Sequence, residues 1–136
     1  MQRPEFFLDR SLGWFAVASR LRVGGWELVT LAEHYGMDAS EQVTDSQWIR
    51  DAAGRGWPIL MKDERIRYRS AEIDLFIQHQ AQCFVITSGD LTPGQMAERF
   101  LANQRAIFAA ATLPGPSIHV VRSDCLDRLL SNGQDL

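Results

Sequence analysis

The chain has 136 residues, 46% of them hydrophobic and 23% charged, and a formal net charge of −3 at pH 7. That length buries a core without disulfides or structural metal, and the slight acidity leaves no global field to hold nucleic acid, so polyanion binding has to come from a local patch. No stretch approaches the roughly 18 apolar residues of a membrane span, and Asp9 falls where a signal peptide would continue its apolar run.

These features predict one domain over residues 1–136, in the cytoplasm. The two cysteines have no CxxC spacing, and His34, His79 and His119 are scattered, so no zinc pattern is present. Cys83, inside CFVIT, reads as a small core hydrophobe.

EFFLD (5–9) is the first strand-like run, and Arg10 and Ser11 follow it. Trp14, Val17, Ala18 and Leu21 then recur at helical spacing, predicting a helix that Gly24-Gly25 ends. WELVT (26–30) is the second strand. Thr44-Asp45-Ser46-Gln47 opens a helix with a capping-box pattern, and Gly54 and Gly56 close it. WPILMK (57–62) is the third strand, and Asp63 and Glu64 follow it. Arg65, Arg67 and Arg69 alternate with Ile66 and Tyr68, so extended backbone puts the arginines on one side and the apolar side chains on the other.

Residues 70–80 predict a helix with Ile73, Phe76 and Ile77 on one face. QCFVIT (82–87) is the fourth strand, leading to Ser88-Gly89-Asp90. Thr92-Pro93-Gly94-Gln95 is a second capping box with proline at N1, opening one long helix through Met96, Phe100 and Phe108. SIHVV (117–121) is the fifth strand. The expected core therefore spans about 5–121. The tail, 122–136, is read as a helical turn over Asp127 to Leu130 and a frayed SNGQDL. Strands that are apolar throughout and alternate with helices predict an α/β protein, a mostly parallel five-stranded sheet with helices on both faces.

In such sheets ligands bind beyond the carboxyl ends of the strands. Four carboxylates belong to that edge: Asp9, Asp63 and Asp90 after strands, and Asp45 in the first turn of a helix that follows a strand. Singly each has an ordinary role, as a helix cap, a complement to the helix dipole or a turn residue. Together they repel unless a cation neutralises them, and carboxylate oxygens suit Mg²⁺ and Mn²⁺. The basic run reads either as a solvated edge or as phosphate-positioning groups beside a metal, with Tyr68 available to stack on a base.

Three stretches, FFLDRSLG, TDSQWIRDAAGRGWPILMKDERI and FVITSGDLTPGQMAERFL, together resemble the PIN-like domains, in particular the VapC-type toxin ribonucleases. The resemblance covers about Glu5 to Val121. It implies a PIN-like three-layer sandwich with strand order 3-2-1-4-5 and metal-dependent RNA cleavage. It assigns catalytic and metal-binding roles to Asp9 (with Ser11), Asp45 and Asp63, although Met61 replaces the usual threonine of the Thr-Lys-Asp motif. The family's further acid on an early helix has no clean counterpart, which leaves Asp90 as a candidate for the missing charge.

The expected protein is an endoribonuclease using Mg²⁺ or Mn²⁺, the toxin of a type II toxin–antitoxin pair. Lys62, Arg65, Arg67, Arg10 and Ser11 are the candidates for contacting RNA, and a cognate antitoxin and a homodimer are the expected protein partners. The alternative is a catalytically weak or inactive PIN-like binding module for RNA or protein. A phosphoacceptor receiver domain fits poorly, since the first strand supplies one acid rather than two and the fifth is followed by Arg122.

Overall fold

The computed structural model describes residues 3–130. Strands β1 (Glu5–Leu8), β2 (Glu27–Thr30), β3 (Ile59–Lys62), β4 (Gln82–Ile86) and β5 (Ser117–Val121) are parallel, and β6 (Leu126–Leu130) runs antiparallel to β5. Around the sheet lie helices α1 (Ala16–Val23), α2 (Leu31–Tyr35), α3 (Met37–Ser40), α4 (Asp45–Gly54), α5 (Ser70–His79), α6 (Pro93–Ala102) and α7 (Gln104–Ala111). Among the described residues no helix is long and apolar enough to cross a membrane.

Strands β1, β3, β4 and β5 bury both faces, which is why their sequences are largely apolar without alternation. Phe7, Ile59, Met61, Cys83 and Val85 point into a cluster closed by Trp48, Ile49 and Ala52 of α4 and by Ile73 and Phe76 of α5. Their strand neighbours Phe6, Leu8, Leu60, Phe84 and Ile86 point the other way, into a cluster closed by Val17 and Leu21 of α1, Phe100 of α6 and Ile107 of α7. The period-2 alternation of strand side chains thus divides one apolar run between two cores, and three layers result.

The strand order is β2-β1-β3-β4-β5-β6 rather than 3-2-1-4-5. Residues 31–54 are mostly helical, so β2 alone stands outside β1 on that side. The next strand, β3, therefore lies on the inner side of β1, with Phe7 opposite Ile59 and Leu8 opposite Leu60. The chain steps one way from β1 to β2 and the other way to β3, so the switch point, where open α/β sheets bind ligands, lies between β1 and β3.

Five local expectations are also corrected. Asp127 to Leu130 belong to β6, where Leu130 is buried and Asp127 and Arg128 are exposed, so this is an edge strand and not a helical turn; SNGQDL lies outside the described residues. The long helix after Thr92 is two helices, parted at buried Asn103 (φ −103°, ψ 15°), whose side-chain amide donates to the carbonyls of Arg99 (2.9 Å) and Arg122 (2.8 Å). Trp14 lies ahead of α1, is 64% exposed and does not share the buried stripe of Val17, Ala18 and Leu21. Ile66–Tyr68 form a 3₁₀ turn with Ile66 buried, so the arginines do not lie along one side of an extended strand. On α5, Ile73 and Phe76 are buried as expected, but Ile77 is exposed.

Candidate active site

The end of β1 is fastened to β3: the backbone N–H of Asp9 donates to the Leu60 carbonyl at 3.1 Å. Ser11 follows in a 3₁₀ turn and acts as a bracket between the two strand ends. Its N–H donates to Asp9 Oδ2 (3.2 Å), and its Oγ accepts the N–H of Lys62 (2.9 Å). Asp9 is buried, with 7% of its surface exposed. That burial pushes its carboxyl above the ordinary value; hydrogen bonds from Ser11 and Arg10 pull it partly back, and the nearby Asp45 charge adds to the rise.

Asp45 is the first residue of α4. Thr44 caps that helix, its hydroxyl accepting the Gln47 N–H at 3.2 Å. Asp45 Oδ1 accepts the indole N–H of Trp48 at 3.0 Å. Trp48 is itself buried and stacked on Phe7 of β1, with ring centroids 5.7 Å apart and planes 13° from parallel. A core aromatic therefore ties the carboxylate at the start of α4 to the central strand.

Asp63 follows β3, and its N–H donates to the Ile86 carbonyl at the end of β4 (2.9 Å). Both of its oxygens are engaged. Oδ1 accepts the Arg65 N–H (2.9 Å), the local turn bond that aspartate favours, and Oδ2 accepts Arg69 Nε (2.6 Å).

These three acids line one cavity of about 500 Å³ at the switch point, together with Ser11, Trp48, Lys62, Arg65, Arg69 and two further acids, the exposed Glu64 and the half-buried Glu72. Glu72 stands in the first turn of α5, and its Oε1 is buried without a hydrogen-bond partner. Burial first, and then the charges of Asp45, Asp63 and Asp9, push its carboxyl up to about 7, with Arg69 opposing them.

Other sequence candidates lie elsewhere. Asp90 is exposed beyond β4 and does not line the cavity, and Arg67 is exposed on the 3₁₀ turn. The Arg10 guanidinium donates to the Val43 carbonyl at 2.8 Å, tying the turn after β1 to the loop before α4. It borders a neighbouring groove of about 250 Å³ beside Trp14, Leu31 and Met37. Sequence reasoning missed Glu72, although the rule that singled out Asp45 applies to it equally. The helix after a parallel strand begins at the carboxyl edge of the sheet, so the acid in its first turn belongs to that edge.

Among the described residues, no three His, Cys, Asp or Glu side chains are already drawn together closely enough to hold an ion. The chemistry of the donor set nevertheless fits a hard divalent cation. Every candidate ligand is an oxygen, two of the acids carry carboxyls raised by burial and mutual repulsion, and one shielded oxygen has no donor.

Residues 4–88, which contain all five acids of the cavity, match the family described as "PIN like domain". The chain is 37% identical over 124 residues to the protein named "Putative ribonuclease VapC45" of Mycobacterium tuberculosis (strain ATCC 25618 / H37Rv), a match covering 91% of this chain and 90% of that protein. No solved structure matches the chain. An α/β sheet whose acids gather beyond β1 and β3, a family match over more than half the chain and a relative similar along nearly all of it agree: the chain belongs to the PIN-like domain family, in the VapC-type branch its motifs resemble.

Proposed function

We propose that this protein is a Mg²⁺- or Mn²⁺-dependent endoribonuclease, the toxin of a type II toxin–antitoxin pair, acting as one domain in the cytoplasm. The observation that carries this reading is the meeting of Asp9, Asp45 and Asp63 around one cavity at the sheet's switch point. These three side chains would hold the cation. A divalent ion bound by carboxylates supplies Lewis-acid activation of water and charge against the scissile phosphate. Lys62 and Arg65 line the same cavity and meet the phosphates on either side of the cut, while Ser11 keeps Asp9 and Lys62 in register. Hydrolysis leaves a 5′-phosphate and a 3′-hydroxyl.

The antitoxin is expected to cover this edge. Beside Arg10, Trp14 is 64% and Met37 56% exposed, and Phe15, packed against Trp14, is 66% exposed. So much aromatic and thioether surface next to a charged cavity suits a protein partner.

The test is RNA cleavage and growth arrest by Asp9→Asn and Asp63→Asn. Both variants are expected to lose activity by a hundredfold or more while staying folded; full activity in both would falsify the site. One observation favours the second reading, a PIN-like binding module with weak or no catalysis: Arg69 already occupies one oxygen of Asp63. Titration with Mn²⁺ separates the two, since an active site gains thermal stability from the ion and a module does not.

A further inference from the structure

Glu72 reaches the cavity because of how the chain turns after β3. Ile66 is buried inside the 3₁₀ turn, and the backbone then re-enters as α5, whose Ile73 and Phe76 are buried in the same cluster as Trp48 and Ile49 of α4. Those anchors fix the first turn of α5 over the sheet edge, with Glu72 immediately before Ile73. Asp74, two positions on, is exposed and does not line the cavity.

A carboxylate oxygen shielded from water and given no donor is costly even before charge is counted. Here it also lines the same cavity as the carboxylates of Asp9, Asp45 and Asp63. Arg69 could have compensated it, yet its Nε is committed to Asp63. Arg69 therefore offsets the Glu72 charge only in part, and the shielded Oε1 keeps no hydrogen-bond partner.

We infer that Glu72 is the fourth carboxylate facing the cation, supplied from the first turn of α5 where the family's usual extra acid on an early helix has no counterpart. This rests on the proposed metal-dependent reading and assigns it a further residue. A merely structural glutamate would be indifferent to the ion, whereas a ligand contributes an oxygen to its binding. The two roles therefore differ in metal affinity, independently of any activity.

The experiment is Mn²⁺ titration of the full chain followed by calorimetry and by thermal melting, comparing the parent with Glu72→Gln, Glu72→Asp, Asp63→Asn and Asp74→Asn. Glu72→Gln is expected to weaken Mn²⁺ binding at least tenfold while melting no lower than the parent without metal. Asp74→Asn, which removes the same charge from the same helix, is expected to bind as the parent does. Should Glu72→Gln fail to fold, Glu72→Asp decides: its withdrawn oxygen should weaken binding several-fold, and parent-like affinity would overturn the inference. Parent-like affinity in Glu72→Gln, beside a loss in Asp63→Asn, overturns the role of Glu72 and leaves the nuclease reading standing. An equal loss in Asp74→Asn reduces the effect to general charge and also overturns it. Failure of the parent to bind Mn²⁺ defeats the metal-dependent reading and this inference together.

Discussion

Arg69 Nε donates to Asp63 Oδ2 at 2.6 Å, so among the described residues Asp63 is the one acid of the cavity with a cation already against it. Half of the Arg69 side chain is exposed, against 10% for Asp63, so the pair is partly screened and contributes about 1 kcal/mol or less. Arg69 therefore competes with a divalent ion for the same oxygen. Arg69→Gln is expected to lower the stability of the metal-free protein by that small amount and to raise Mn²⁺ affinity several-fold. Melting curves with and without Mn²⁺ check both parts; weaker Mn²⁺ binding would mean that Arg69 positions Asp63 rather than blocking it.

Without divalent ions, stability should fall as pH rises from about 5 to about 8. Glu72 is held up at about 7 against an ordinary value of 4.5, so across that interval the folded state binds more protons than the unfolded state. Stability is then lost as the proton leaves, and the raised carboxyl of Asp9 acts in the same direction. At the acid end the sign reverses. Glu33, lowered chiefly by its bond from Arg22, and Asp51, lowered chiefly by Tyr35, lose their contribution as pH falls through their depressed values. Thermal melts in chelator across this range read the profile. Saturating Mn²⁺ should flatten its upper limb, and a flat profile without metal would contradict the crowding at Glu72.

Ser11→Ala removes the acceptor for the Lys62 N–H and a hydrogen bond that lowers the Asp9 carboxyl. The orphaned backbone donor should cost about 1–3 kcal/mol in urea denaturation. With Asp9 shifted further upward, a cation has to displace its proton at higher pH. The pH dependence of Mn²⁺ binding should move to the alkaline side, with near-parent affinity recovered above neutrality.

Asn103 links the end of α6 to the chain after β5 through its two donated bonds, and only 4% of it is exposed. Asn103→Ala is expected to destabilise the protein by about 1–3 kcal/mol. Mn²⁺ affinity should not change, because the site lies on β1, β3, α4 and α5. Equilibrium unfolding and a metal titration of the same variant test the separation of scaffold from site.

Much of the architecture was legible because a strand buried on both faces has to be apolar throughout, and the five parallel strands were found where such runs occur. Asp9, Asp45 and Asp63 were legible for a related reason, since strand ends and helix starts share one edge in this topology. What escaped is what depends on turns. Thr30 both ends β2 and caps α2 through a reciprocal bond with Glu33, so a helix begins with no loop to announce it. The alternation of Arg65 to Arg69 imitates a strand, but burial of Ile66 and the Asp63 turn bond close it into 3₁₀ geometry. Glu72 needed only the rule that singled out Asp45, since it stands in the first turn of the expected helix over 70–80. The strand order followed the family resemblance, and the helical content of residues 31–54 overrode it.

The bond from Trp48 to Asp45 also gives the protein an optical handle. Trp14 faces solvent, whereas the Trp48 ring is sealed in the core with only its indole N–H turned to the acidic cavity. Charge arriving at Asp45 alters the field along that ring, so its fluorescence should shift when Mg²⁺ enters. Paramagnetic Mn²⁺ should quench the same emission at short range. Trp48→Phe would silence both signals, allowing occupancy of the cavity to be followed by light in real time, without RNA and without an added dye.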